Sequence, residues 1–319
     1  MSESRSYHGR PVLKQPVWTW EIPCYFYLGG VAGTSAGLAY LSQLRGNEVL
    51  GRRAWAVALA GISASPGLLV SDLGRPERFL NMLRVFKVTS PMSVGSWVLA
   101  GAGTSTAVAA ANAWTGLLPR VAKLARPAAA LLGLPLSTYT AALLANTAIP
   151  VWHESHRLLP LVFGSGAALG SGAAVVIATP TGHAAPARRL ALGAAALELG
   201  VTELMRKRLG EHGEPYTRGD AARFANISRV CIVAGGALLA AKGASSRTAA
   251  IAGGALLSAA ALSTRWSVFK AGHQSAADPK YVVGPQRRAI ERGERPGAAR
   301  REPRVVHGDP AIGSPATLR

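Results

Sequence analysis

Residues 22–44 read IPCYFYLGGVAGTSAGLAYLSQL, a run of 23 residues with no charged side chain. A helix needs about 20 mostly apolar residues to cross the hydrocarbon core of a bilayer. The run is too long for the apolar centre of a signal peptide, and more of the same kind follows it. Seven further stretches read the same way: Ala54–Ser71, Ser93–Trp114, Ala128–Ile149, Leu158–Thr179, Leu190–Met205, Val230–Gly243 and Thr248–Arg265. The sixth carries Glu198 and Glu203, and the last two are short and rich in Ala and Gly. Together they predict an all-α integral membrane protein of about eight transmembrane helices.

Composition supports that class. Hydrophobic residues make up 49% of the 319 and charged residues only 16%, against about 25% charged in an ordinary soluble domain. Disorder throughout needs the opposite balance. The net charge of +19 does not indicate nucleic-acid binding, because Lys and Arg sit between apolar runs and no binding motif accompanies them. Cationic loops instead mark the cytoplasmic side of a membrane protein. Eight spans place both termini on one side. Most Lys and Arg, the tail included, fall on that side, so the termini are predicted to be cytoplasmic. Cys24 and Cys231 give neither a disulfide framework nor a CxxC clamp.

The organisation is therefore an N-terminal arm (1–21), a transmembrane region (22–270) and a basic tail (271–319) expected to be disordered. Phe79, Met82, Leu83 and Phe86 share one helical face, with Arg78, Asn81 and Lys87 off it, which predicts an amphipathic interfacial helix near 75–88. Gly29, Gly33 and Gly37, and again Gly166 and Gly170, recur every four residues, a spacing that lets neighbouring helices approach closely. The terminus-side segments are long and distinctive, whereas the opposite loops are short. That asymmetry suggests one face that docks something large.

Several polar residues could carry chemistry. Glu21 stands at the mouth of the first span, where a helix N-terminus favours negative charge; it either pairs with Arg10 or Lys14 or joins a polar pocket. Asp72 and Arg75 could form an ion pair at the entry to the interfacial segment. Tyr139 lies roughly 10–15 Å from the terminus-side end of the fourth span at 1.5 Å per residue. A phenol at that depth needs a partner, either another helix or a ligand carbonyl such as a quinone's. Asn146 lies at the same end. Glu198 and Glu203 are acids within a span and so candidates for a proton relay, with pairing to Arg206, Lys207 and Arg208 the alternative for Glu203. His153, Glu154 and His156 do not have the spacing of a helical metal site.

Three strings share one resemblance: HGRPVLKQPVWTWEIPCYFYLGGVAG at 8–33, SPGLLVSDLGRPERFLNMLRVFKVTSPMSVGSW at 65–97 and YTAALLANTAIPVWHESHRLLP at 139–160. Over residues 7–180 the chain resembles the NrfD family, which includes the membrane subunit of polysulfide reductase. The resemblance implies two four-helix bundles in the cytoplasmic membrane. It also implies a subunit not catalytic alone, bound to a ferredoxin-like iron–sulfur subunit and through it to a molybdopterin catalytic subunit. It implies exchange of electrons with menaquinone or another quinone, and no haem or metal in this chain. The family's quinone pocket lies in the first bundle and uses a tyrosine on the fourth helix, which Tyr139 matches. Where that family has polar groups at the start of the first helix, this chain has Trp20 and Glu21. Asp72 would link the pocket to bulk water, with Glu21 or Asn146 near the second carbonyl. The arm with Arg10, and Asp72–Met92 with Arg75 and Arg78, form the expected docking surface. The competing classes are a secondary transporter, for which Pro66-Gly67 and Gly133–Pro135 would mark broken helices, and a passive anchor without quinone.

Overall fold

A computed structural model describes residues 11–73, 77–291 and 293. All regular structure among them is helical: α1 Glu21–Leu44, α2 Glu48–Asp72, α3 Glu77–Asn81, α4 Pro91–Thr115, α5 Pro119–Ala145, α6 Pro150–Glu154, α7 Leu159–Ala178, α8 Ala185–Leu209, a 3-10 segment Gly210–Thr217, α9 Gly219–Lys242, α10 Arg247–Ala277 and α11 Lys280–Glu291. Each of the eight apolar stretches corresponds to one long helix, although Ala128–Ile149 overruns the end of α5 by four residues. Local chemistry sets several starts. The Asn47 side chain accepts the Leu50 N–H at 3.1 Å and caps α2. Ser90 caps α4, with Pro91 at its first position, where a missing N–H costs nothing.

Among the described residues, five helices are long and apolar enough to cross a membrane by length and composition: α2, α4, α5, α7 and α9. The expected count of eight rests on three more, α1, α8 and α10, whose windows are diluted by Gly, Ser or charged residues. The outer surface is apolar even so. Leu124, Leu131 and Leu134 of α5 and Val230 and Val233 of α9 are 64–76% exposed. A belt of that kind is costly against water and neutral against lipid chains.

The long helices pack as two groups of four. α1, α2, α4 and α5 form the first; α7, α8, α9 and α10 form the second; α1 and α5 join the groups by packing on α7. α1 and α5 cross backbone to backbone at Gly33 and Gly133, where a Cβ on either would lie 3.1 Å from the other's Cα. Glycine spacing alone does not distinguish its members. Gly29 has ordinary surroundings, and a Cβ on Gly37 would meet nothing within 4 Å.

Two expectations are corrected. Of the interfacial helix expected near 75–88, the described residues form only the five of α3. The start of α4 captures the backbone that would continue it: Ser96 Oγ donates to the Met82 carbonyl at 3.3 Å, Ser93 Oγ donates to the Val85 carbonyl at 3.0 Å, and Lys87 N–H donates to Ser93 Oγ at 3.0 Å. Those bonds replace the helical ladder. The tail also begins later than residue 271. α10 continues to Ala277 because Ala271, Ser275 and Ala276 are buried, and α11 follows. Residues 294–319, where disorder was expected, lie outside the described residues. α2 runs unbroken through Pro66, and α5 through Pro135, so neither shows the interruption a transporter site would use.

Candidate functional site

The long-segment face gathers the starts of α1, α4, α7 and α9 and the ends of α2, α5, α8 and α10. Trp18 of the arm stacks on Trp152 of α6 with ring centroids 5.8 Å apart. Trp152 is fully buried and donates its Nε1–H to the Val268 carbonyl of α10 at 2.8 Å. The arm, α6 and α10 are thereby tied across the two groups.

Beside this clamp a narrow cleft of about 60 Å³ opens in the first group. Tyr25 of α1, Asp72 of α2, Ser96 of α4 and Tyr139 of α5 supply its polar lining, with Met82 and Met92 among its apolar walls. Tyr139 is six residues from the end of α5, about 9 Å below it at 1.5 Å per residue. Its phenol is hydrogen-bonded to the phenol of Tyr25, so the partner is an adjacent helix. The Tyr139 ring packs against Gly95 of α4, where a Cβ would sit 2.9 Å from its Cζ.

At the mouth, Asp72 Oδ1 accepts the Thr19 N–H at 3.1 Å and the Thr19 hydroxyl at 3.2 Å. The same hydroxyl also reaches Glu21 Oε2. A hydroxyl has one proton to give, so Thr19 shares it between two carboxylates. Tyr139 and Asp72 therefore share the cleft, and Glu21 joins through Thr19 rather than by lining it. Asn146 does not join: it ends α5 as an exposed cap residue. Arg10 and Arg75, and the side chain of Arg78, lie outside the described residues, so the docking surface expected of them does too.

The second group holds a different polar centre. Glu198 of α8 is 0% exposed and Arg265 of α10 is 1% exposed. Both border Gly166 of α7, where a Cβ would lie 3.0 Å from Arg265 Nη2 and 3.2 Å from Glu198 Oε2. Arg265 donates to the Phe163 carbonyl at 2.6 Å and the Val162 carbonyl at 3.3 Å, and stacks 4.1 Å from the Phe163 ring centroid. Neither Glu198 oxygen makes a hydrogen bond of full geometry among the described residues, although the Thr264 hydroxyl stands near the carboxylate. Burying a charge without compensation is costly, so the nearby guanidinium is what makes this acid tolerable. Glu203 belongs elsewhere. It pairs with Arg206 at 2.6 Å and Lys207 at 3.7 Å on the half-exposed rim, the pairing open to it from sequence, and it is not grouped with Glu198.

Sequence reading missed Tyr25, Thr19 and Arg265 as site residues. Tyr25 had a signal, because it stands one helical turn after Glu21 on the same face. Arg265 marked the end of the last apolar stretch; it becomes interior only because α10 runs twelve residues further. His153 and His156 are spent on local carbonyls, those of Ala145 at 3.1 Å and His153 at 2.9 Å. No group of three or more His, Cys, Asp or Glu side chains suited to a metal occurs among the described residues.

Residues 9–184 match the family described as "Polysulphide reductase, NrfD". That segment contains the whole cleft. Comparison with individual curated proteins returns no match.

Proposed function

The chain belongs to the NrfD polysulphide reductase family, and on that premise we propose that this multi-pass membrane protein exchanges electrons with the quinone pool as one subunit of an oxidoreductase complex. Its partners in this reading are a ferredoxin-like iron–sulfur subunit and a molybdopterin catalytic subunit. They dock on the long-segment face through the arm with Arg10 and the segment with Arg75 and Arg78. All eight long helices cross the cytoplasmic membrane, with both termini in the cytoplasm.

The observation that carries the reading is the convergence of Tyr25, Tyr139 and Asp72 in one cleft beside the expected docking surface. The lining suits a flat ring with carbonyls: phenols to donate, a carboxylate to take a proton, and apolar walls. At about 60 Å³ the cleft is small, since small-molecule pockets run from about 300 Å³ upward. Its thioether walls are suited to give way, because methionine has three rotatable bonds and fills irregular gaps. A bound quinone accepts or supplies two electrons and two protons. The chain's own part is to orient a carbonyl through the Tyr139 hydroxyl. Asp72 and Glu21, linked by Thr19, then hold the proton at the mouth. Glu198 beside Arg265 is the relay group in this reading if protons cross the membrane.

The test compares two activities of the purified complex. Tyr139→Phe removes one hydrogen bond, worth about 0.5–1.5 kcal/mol, and should slow quinol-linked turnover several-fold. Reduction of an artificial dye by the catalytic subunit should not change. Equal loss of both would make Tyr139 a folding residue, and loss of neither would remove the quinone from this cleft. A complex that carries no extractable quinone and has no quinol activity would instead be served by a passive anchor.

A further inference from the structure

From their crossing at Gly33 and Gly133, α1 and α5 diverge toward the short-loop face. α8 makes at most marginal contact with either along this length. The gap between the three helices is a groove of about 580 Å³, within the range of ligand pockets. It is lined along α1 from Gly33 to Arg45, about 18 Å at 1.5 Å per residue.

Two properties make this groove more than a packing defect. Its walls are apolar and open outward: Leu41 is 57% and Leu134 67% exposed. Its floor at Gly37 is empty, because a Cβ there would meet nothing within 4 Å. At the far end the character changes. Arg45 and Arg189 stand at the rim, and neither guanidinium has an ion pair or hydrogen bond among the described residues. The end is closed by the Asn47 side chain, which donates to the His183 carbonyl at 3.1 Å and joins two loops. An apolar channel that ends between two unpaired cations is complementary to an amphiphile with an anionic head.

We propose that the groove holds one anionic phospholipid, with an acyl chain along Gly33–Leu41 and its phosphate between Arg45 and Arg189. Guanidinium groups bind phosphate oxygens in pairs, and here two of them stand where an apolar groove meets the membrane surface. An isoprenoid chain would fill the apolar part and leave both arginines unanswered. Free phosphate would use the arginines and leave the apolar part empty. The groove lies at the opposite end of the first group from the Tyr25–Tyr139 cleft, so its test does not depend on the redox reading.

The full-length chain is exchanged into bilayer discs of equal phosphatidylglycerol and phosphatidylcholine, extracted, and its retained lipid counted by native mass spectrometry. One phosphatidylglycerol per chain is expected. Arg45→Gln/Arg189→Gln should lower retention about thirty-fold, from roughly tenfold per 1.4 kcal/mol and about 1 kcal/mol for each arginine. Gly37→Phe should lower it as much by filling the floor. It needs no repacking, so helical content should stay that of the parent. Gly236→Phe on α9, where a Cβ also meets nothing within 4 Å, should leave retention unchanged. The proposal is overturned by equal retention of phosphatidylcholine, by retention that survives either groove variant, or by loss in Gly236→Phe. It is equally overturned if millimolar inorganic phosphate displaces the lipid or if a quinone is recovered in its place.

Discussion

Gly95→Ala tests whether the Tyr139 ring is where the structure puts it. A Cβ at position 95 would lie 2.9 Å from Tyr139 Cζ and inside contact distance of two more ring carbons, where apolar carbons prefer about 3.5–4.0 Å. The ring must therefore move, and helix α4 cannot yield easily because Ser93 and Ser96 tie its start to residues 82–87. Overpacking of this kind costs about 1–3 kcal/mol, and losing the phenol–phenol hydrogen bond costs about 0.5–1.5 kcal/mol more. Replacing glycine within a helix returns about 1 kcal/mol. The net expectation is a destabilisation of about 0.5–3.5 kcal/mol, read as a lower thermal midpoint of the purified protein in detergent. Quinol-linked turnover should fall at least as far as in Tyr139→Phe, because the hydroxyl leaves its place. The cause is isolated by a double-mutant cycle. In a Tyr139→Leu background the added methyl has room, so Gly95→Ala should become neutral or slightly stabilising. Parent-like stability and turnover for Gly95→Ala alone would refute the packing argument, as would an equal cost in both backgrounds.

Trp152→Phe should lower stability by about 0.5–1.5 kcal/mol, the worth of one hydrogen bond, because the Val268 carbonyl loses the indole donor at 2.8 Å and keeps only its helical partner in α10; parent-like thermal unfolding would count against the clamp. Glu214 is held below the ordinary carboxylate value of 4.5, first by the Lys280 hydrogen bond and then by that from Tyr281. A depressed folded-state pKa gives stability that is present above 4.5 and lost as pH falls below it. The protection of α11 amides, taken relative to their intrinsic exchange rates at each pH, should therefore be steady at neutral pH and fall below 4.5, and Glu214→Gln should abolish that step. Charge reversal at Arg75 and Arg78 should release the soluble subunits while the anchor still inserts; an intact complex would remove that segment from the docking surface.

The eight long helices of this protein are a local property, and apolar composition alone located them. A run such as Ile22–Leu44 offers no water-seeking side chain, so its backbone must satisfy itself, and only a helix does that within one segment. The same reasoning found Tyr139, because a phenol in an apolar helix cannot go unpartnered. It could not find the partner. Tyr25 lies 114 residues earlier, and only the crossing of α1 with α5 brings the two hydroxyls together. Asn146 looked equally suitable and is exposed, because α5 ends one residue before it.

Non-local packing decided the remaining elements. Residues 82–87 have the apolar spacing of an amphipathic helix, yet Ser93 and Ser96 compete for their backbone groups from the next element. Arg265 reads as the cationic edge of a span and is buried beside Glu198, because the residues after it are covered by the second group of helices. Gly33 and Gly37 are the same residue type in the same repeat. One receives the Gly133 backbone and the other faces an open groove, a difference set by the angle at which two helices cross. Sequence thus determined where the eight long helices lie and which polar residues needed partners. Tertiary structure decided which partners they received, because hydrophobic patterning specifies the face a helix buries but not the atom of another helix that lies across from it.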